Sequence, residues 1–443
     1  MIRIFLFCTM LSGSLMAVGQ LNRTLDDCIR EAIKSNLELR QIQVDNRVKT
    51  EDLRQSRLSL LPEVSGSLNS DKSFGRAIDP SNNEIVSTRL FQANVSLGAS
   101  LVLFNGFVNL NKVQYSRMMA MKGLMAEQSL KNDIAFKVMN AYYDLCFARG
   151  QMLIARDLRD LDTINLEKAR IMVEVGTKAE TETTEIRARL AQDEFHLTQA
   201  RNNVEKARTV LRQLLNISYD TPFDIAEEPA LSEPADLLLM PLPDSVYKHA
   251  AAHLPQFREM EIDHGISKLD LKLAKGAILP SLRAQAGYGT GYYDSYRDTY
   301  GNPVDFQHQL GNNSYQYIGL NLNIPLFNGA QLNRNIRVAR FGIDKAEALN
   351  DMKKQVFRAE IENVCLSLRS AVDEYRASVE QEKSTALNLE LAEKKWEQGT
   401  GNLLELTDAR NRSASAEAEI LRTQLQFKLK KKTLDIYEGK TAW

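Results

Sequence analysis

Disulfides, catalytic motifs and long apolar runs are what this chain does without. It has 4 cysteines in 443 residues, and Cys8 lies in an N-terminal stretch expected to be removed. The remaining Cys28, Cys146 and Cys365 are odd in number and each falls in a helical pattern, which is not a disulfide framework. They read as small buried hydrophobes, with a Cys146–Cys365 pair as the alternative. No phosphate loop, nucleophile elbow or dinucleotide fingerprint occurs, so neither an enzyme nor a cofactor is expected. Of the 5 histidines only His249 and His253 are close in sequence, and no carboxylate or cysteine completes a metal site with them. The formal charge of −1 offers no basic face for nucleic acid. Beyond the first residues no run reaches the ~20 apolar residues of a membrane helix.

What the N-terminus does have is Arg3 followed by an apolar core to about Val18, with Ala17 and Gly19 at the positions a signal peptidase reads. A signal peptide over 1–19 is expected. Cys8 has no lipobox around it, so no lipid anchor is.

Proline is missing where it matters. None of the 11 lies between Pro80 and Pro222, and none follows Pro325. Proline inside a helix costs ~3 kcal/mol, so its absence permits very long helices. Gly106 to Gly176 and Gly329 to Gly399 each span 70 residues (176 − 106, 399 − 329). At ~1.5 Å per residue such a helix reaches about 100 Å. Leu190, Leu197, Val204 and Leu211 recur every seventh residue, as do Leu406, Ile420, Phe427 and Leu434 with Ser413 interrupting. That period belongs to helices coiled about other helices.

The chain is also duplicated. Leu101-Val102-Leu103-Phe104-Asn105-Gly106 returns as Ile324-Pro325-Leu326-Phe327-Asn328-Gly329, 223 residues on (329 − 106). Leu25-Asp26-Asp27-Cys28-Ile29 is matched by Leu242-Pro243-Asp244-Ser245-Val246, and Leu61-Pro62 by Leu279-Pro280, where a helix stops and a strand starts. A repeat of this kind fixes the architecture before any other reading. The expected layout is a first repeat over 20–219, a linker over 220–243 and a second repeat over 244–443. Strands are expected over about 62–70 and 90–103, then 281–292 and 315–326, with helical hairpin turns near 176 and 399. The proline-rich linker reads as an irregular outer segment, an independent binding loop being the alternative.

The strands alternate. Phe91, Ala93, Val95, Leu97, Ala99 and Leu101 oppose Gln92, Asn94, Ser96, Gly98 and Ser100; Ile318, Leu320, Leu322 and Ile324 oppose Tyr317, Gly319, Asn321 and Asn323. Segments of about ten residues, apolar on one face and small-polar on the other, mark a membrane β-barrel with a wet lumen. Gln92, Asn94, Ser96, Asn321 and Asn323 are the expected lumen-facing set. Tyr288, Tyr292, Tyr293, Tyr296, Tyr300, Tyr315 and Tyr317 are expected at the lipid–water boundary. The polar stretches 69–89 and 289–314 read as exposed loops. Four strands cannot close a lumen, since even a filled barrel needs about eight. An open edge in lipid leaves backbone groups unpaired at several kcal/mol each. Copies of the chain must therefore share one barrel.

The paired Leu-Phe-Asn-Gly hinges, the paired Leu-Pro junctions and the turns Val175-Gly176-Thr177 and Gln398-Gly399-Thr400 resemble the TolC family of outer-membrane efflux and secretion ducts over essentially the whole mature chain. The resemblance implies a mainly α fold with a β-barrel part: a homotrimer whose barrel is 12-stranded (three copies of four strands) and continuous with a long periplasmic α-helical barrel. It implies outer-membrane lipid around the barrel and a periplasmic membrane-fusion adaptor at the hairpin tips, itself bound to an inner-membrane pump. The tips are Val175, Gly176, Thr177 and Lys178 in the first hairpin and Gly399, Thr400 and Leu403 in the second. The helix–strand junctions are Pro62, Asn105, Gly106, Pro280, Pro325, Asn328 and Gly329. It further implies a periplasmic gate at Glu405 and Asp408, so that a trimer would crowd six carboxylates into one mouth. Gly401 stands where the family often has a basic residue that locks the closed state; Lys178 is the candidate substitute. Met118, Met119, Met121 and Met125 read as core, and Lys428, Lys430, Lys431 and Lys432 as a solvated face. The competing function is a periplasmic coiled-coil scaffold or adaptor that never spans a membrane.

Overall fold

The computed structural model describes residues 22–78, 83, 85–226 and 241–440. The expected signal peptide and residues 227–240 of the linker lie outside them. The duplication holds for the helices of the first half and the paired strands, with one added helix in the second half. The first repeat runs β1 (Asn22–Arg23), α1 (Leu25–Ser35), α2 (Leu37–Leu58), β2 (Glu63–Ile78), β3 (Ile85–Asn105), α3 (Val108–Glu174) and α4 (Glu180–Leu214). After β4 (Asp224–Ile225) come α5 (Pro243–His253), α6 (Pro255–Gly276), β5 (Ser281–Tyr293), α7 (Phe306–Asn312), β6 (Tyr315–Asn323), α8 (Gln331–Glu397) and α9 (Leu403–Tyr437). α1 and α5 each have 11 residues, α2 and α6 22, α3 and α8 67, α4 and α9 35. The halves differ in the lengths of their strands and in α7, which only the second half has among the described residues. Among the described residues no helix is long and apolar enough to cross a membrane.

The described residues fall into two compact units. The helical unit takes the chain up to Arg40, then Gln128–Leu254 and Gln355 onward. Its first helix opens on a capping box: the Thr24 hydroxyl accepts from the Asp27 amide and the Asp27 carboxylate accepts from the Thr24 amide. Those Thr24 bonds hold the Asp27 carboxyl below the usual carboxylate range. Behind the cap Cys28 is fully buried, and burial pushes its thiol up to about 12, so it packs as a hydrophobe. None of Cys28, Cys146 and Cys365 forms a disulfide, so the alternative Cys146–Cys365 pair is not made. The linker is not wholly irregular. β4 runs parallel to β1, Asn22 beside Asp224 and Arg23 beside Ile225, and Arg149 ties it down by donating to the Ile225 carbonyl at 2.8 Å.

The heptads become the helical core. α4 buries Ile186, Leu197, Val204 and Leu211, and α9 buries Leu406, Ser413, Phe427 and Leu434. Towards the turns one cluster joins all four long helices: Leu166 and Ala169 of α3, Ile186 of α4, Ala392 and Trp396 of α8, and Leu403, Leu406 and Ala409 of α9. Burying side chains of this size stabilises by ~1.5–3 kcal/mol each, so the two hairpins of a protomer share one core.

The other unit comprises Gln41–Glu127 and Pro255–Lys354 and holds a four-stranded antiparallel sheet in the order β2-β3-β5-β6. Its strands depart from the expected limits. β2 and β3 pair from Glu63 beside Ser100 out to Ile78 beside Ile85, so much of the expected loop 69–89 is sheet. Long alternating strands carry on where the polar residues can face water. β6 ends at Asn323 rather than 326 because its partner begins at Ser281, directly opposite. The expected loop 289–314 also contains structure. β5 continues to Tyr293, and α7 starts on Asp305, whose carboxylate accepts from the Gln307 and His308 amides. Buried Gln309 then bonds both backbone groups of Tyr293 and the Val304 carbonyl, fixing α7 to the strand end.

Candidate functional site

The register sorts the sheet into two faces. Asn69, Asn94 and Gly291 are neighbours across it, as are Ser67, Ser96 and Gly289; Arg283 lies beside Asn321, and Ser281 beside Asn323. These share the polar face with Gln92, and the Ser67 and Ser96 hydroxyls bond at 2.7 Å. The opposite face carries Leu68 with Val95, Leu97 with Tyr288, and Leu282 with Leu322. It lies open: Leu320 is 70% and Ile318 91% exposed. A bulge between Val102 and Phe104 lets Phe104 pair with Leu282 on that face. This is why the unbroken run Leu101–Phe104 ends an otherwise alternating strand.

The tyrosines do not form one belt. Tyr288 and Tyr292 stand on the apolar face, but Tyr293, Tyr315 and Tyr317 fall on the polar one, since Tyr293 pairs with Gln92, Tyr315 with Gly289 and Tyr317 with Gly287. The rings of Tyr315 and Tyr317 fill the space where a Cβ on Gly289 or Gly287 would be. They lie flat across the glycines rather than standing out from the wall. Tyr296 and Tyr300 are in the loop beyond β5.

The hinges repeat in backbone as in sequence. Gly106 and Phe107 have φ of 66° and 62°, Gly329 and Ala330 64° and 61°. Two successive left-handed residues turn each strand into its long helix, and the non-glycine second residue costs roughly 1–2 kcal/mol. Pro62 and Pro280 sit directly before β2 and β5. Asn105 holds the first corner by accepting from the Asn109 amide. Pro325 and Asn328 follow β6 outside any strand pairing in the protomer.

The turns of the two helical hairpins match as well. Gly176 (φ 75°) donates to the Val173 carbonyl and Thr177 to that of Met172; Gly399 (φ 74°) donates to Trp396 and Thr400 to Lys395. Glycine serves there because left-handed backbone closes the helix. Val175 is exposed, but Leu403 is not available at the tip: it is 7% exposed, on the inward stripe with Leu406 and Ala409, and Leu404 faces out instead. Asn402 caps α9 by accepting from the Glu405 amide at 2.7 Å.

Each expected gate acid has its own cation. Glu405 pairs with Lys395 at 2.7 Å and Asp408 with Arg412 at 2.8 Å, one helical turn on. Unpaired acids are therefore not what one protomer presents. Lys178 does not reach the other hairpin either; it pairs with Glu182 of its own at 3.3 Å. One exposed pair does join the hairpins, Lys168–Glu397 at 2.8 Å.

The model of the outer membrane efflux protein family matches residues 28–216 and 246–439, the two repeats in turn. The chain belongs to that family. It is a transport protein of the outer membrane of Gram-negative bacteria, an efflux channel of the TolC type. It is 24% identical over 379 residues to the outer membrane efflux protein BepC of Brucella suis, covering 84% of this chain and 74% of that one. To the outer membrane protein TolC of Escherichia coli it is 21% identical over 410 residues, 90% of this chain and 78% of that one. The solved outer membrane channel CmeC of Campylobacter jejuni superposes with a TM-score of 0.78 at 17% identity, over 94% of this chain and 85% of that one. A scaffold that never meets a membrane is thereby set aside.

The channel also holds a site that the sequence reading missed. Arg410 of α9, 3% exposed, donates to the Asp162 carboxylate of α3, to Asp193 of α4 at 2.6 Å and to the Leu158 carbonyl at 2.6 Å. Arg189 of α4 and Glu393 of α8 face the cluster. Burial pushes the Asp193 carboxyl above the usual carboxylate range, against the pull of Arg410. Among the described residues Asp162 Oδ2 and Arg410 Nε make no hydrogen bond. One signal was legible: Arg410 sits four residues after Leu406 and three before Ser413, on the stripe α9 buries.

Proposed function

We propose that three copies of this chain close one barrel and form a passive duct, served by a periplasmic membrane-fusion adaptor and, through it, an inner-membrane pump. The observation that carries the reading is the two-faced sheet, polar on one side, openly apolar on the other and unclosed. Its apolar face takes outer-membrane lipid, and Gln92, Asn94, Ser96, Asn321 and Asn323 line the water-filled lumen. Residues 1–19 direct secretion, and residues 220–243 form the equatorial linker between the repeats. The adaptor meets Val175, Gly176, Thr177 and Lys178 at one tip and Gly399, Thr400 and exposed Leu404 at the other. Glu405 and Asp408 belong to the periplasmic entrance as charge pairs with Lys395 and Arg412. Chemistry is left to the pump, and the duct contributes a path. The test is fractionation followed by recording. The mature protein should co-sediment with outer membranes, run as a heat-sensitive trimer and conduct ions in a planar bilayer. A monomer in the soluble fraction would refute the reading.

A further inference from the structure

The protomer shows one complete seam between repeats and half of a second. β3, the second strand of the first repeat, pairs with β5, the first strand of the second repeat. Their images, β6 and β2, are the two edges of the sheet. The repeat carries β3 onto β6 by +223 (Gly106 to Gly329) and β5 onto β2 by −218 (Pro280 to Pro62). Applied to the observed register, these shifts turn Gly98–Gly287 into Asn321–Asn69, Ala99–Ala286 into Leu322–Leu68, and Leu101–Ala284 into Ile324–Gly66. We propose that β6 of one copy pairs antiparallel with β2 of the next in this register, and that the second hinge seats on the end of the neighbour's α2. The inference rests on the shared-barrel reading and adds the residue-by-residue interface to it.

Three observations support it. First, the faces agree: polar Asn321 meets polar Asn69 and apolar Leu322 meets apolar Leu68. Any slip by one residue would reverse every side chain, so only even slips compete, and the repeat selects among them. Second, the strand climb is uniform. Val64, Ala99, Ala286 and Ile318 lie on one line across the sheet. Ala286 is the image of Leu68, four residues along from Val64 (286 − 218 = 68). The inferred seam continues the line to Lys72 of the next copy, four residues further. A closed barrel needs such a regular stagger.

Third, the second hinge lacks what the first one has. At Gly106 a Cβ would strike the Gly276 carbonyl and come within 2.9 Å of Leu279, whereas nothing lies within 4 Å of Gly329. Phe327 is 87% exposed, against 37% for its image Phe104. The surface to receive it exists on α2. Leu61 donates to the Leu58 carbonyl at 2.9 Å and Leu60 to that of Arg57 at 3.2 Å, as Leu279 donates to Gly276 at 3.0 Å and Ile278 to Lys275 at 3.3 Å. Leu58, Leu60 and Leu61 are all exposed in the protomer. One residue departs from the repeat: Leu58 replaces Gly276, so a side chain stands where the first seam brings backbone against backbone.

Paired cysteines test the register in the assembled protein. Directly opposed residues lie ~4.5–5.5 Å apart and diagonal ones about 7–8 Å, while a disulfide needs Cα atoms within ~7 Å. With a mild water-soluble oxidant, Asn321→Cys with Asn69→Cys should give several-fold more covalent dimer and trimer than Asn321→Cys with Ser67→Cys or Asp71→Cys. Leu322→Cys with Leu68→Cys, oxidised from the lipid side, is an independent second pair, and wild type with its three native thiols is the blank. A maximum at Ser67 or Asp71, or no product from either opposed pair while native mass still reads a trimer, overturns the register and leaves the shared barrel standing. A monomeric native mass overturns both.

Discussion

Arg410→Met is the substitution with the most to reveal. The arginine satisfies two carboxylates and a carbonyl from α3 and α4, and it is the buried charge that α9 brings to them. Methionine keeps much of its bulk but leaves Asp162 and Asp193 without the guanidinium that bonds them, and Arg189 nearby makes no hydrogen bond to either in its place. Removing one member of a buried ionic cluster costs about 3–5 kcal/mol, because the remaining charge is desolvated and unpaired. The loss is local, since the apolar cluster around Trp396 stays intact. Hydrogen exchange of the α9 amides in the native protein is the suitable assay. At roughly 1.4 kcal/mol per decade, exchange around residues 406–413 should quicken by roughly 10² to a few times 10³-fold. Arg410→Lys keeps the charge but not the fork that reaches three acceptors, so it should lose less. Combining Arg410→Met with Asp162→Asn and Asp193→Asn should recover part of the protection, since the two carboxylates that lost their partner are gone and the charges left facing the site, Arg189 and Glu393, are of opposite sign. Exchange in Arg410→Met within about 1 kcal/mol of wild type would refute the reasoning, as would a triple variant no better protected than the single.

Other outcomes follow from the same geometry. Leu97→Arg on the apolar face should hinder membrane assembly by ~2–4 kcal/mol while Asn94→Arg assembles and changes conductance; bilayer recordings with an assembly gel check both. Gly399→Val has open space for its side chain, so its cost is the left-handed backbone alone, roughly 1–2 kcal/mol or more for a branched residue; export should fall while the membrane-bound trimer persists on a gel. For Asp193, a folded-state carboxyl raised above its unfolded value favours the fold at low pH and ceases to as pH rises through the raised value. Urea midpoints of Asp193→Asn should therefore vary less than wild type from pH ~4 upward, and the variant should lose less at neutral pH than Asp162→Asn.

The duplicated architecture was legible because it is written three times over, in the hinge motif, the Leu-Pro junctions and the proline-free spans. Every long helix then came out with the same length in both halves. What the sequence conceals is anything decided by register. Tyr315 and Tyr317 look like members of an aromatic belt until strand pairing puts them on the polar face above glycines. Leu403 lies near a turn, and only the phase of α9 reveals that it points inward. Glu405 is ten residues from Lys395, a spacing that says nothing until the turn folds one helix back on the other. Arg410 is one of many charges on a long helix, and its burial depends on α3 and α4, far away in sequence. The strands of the first hairpin ran longer than expected because polar composition argues for loops only when both faces are polar.

The glycines under Tyr315 and Tyr317 set a clearance. A tyrosine standing upright on a wall takes its whole length out of the space in front of it. Laid across Gly289 and Gly287, the same ring adds only one van der Waals thickness, ~3.5 Å. On the lumen face proposed above, the two rings would act as hard, weakly polar plates for a passing solute, and neither would have to swing aside to let it through. On that reading a side chain on Gly289 or Gly287 would lift the ring above it and narrow the bore, so the clearance is set by the glycines as much as by the tyrosines.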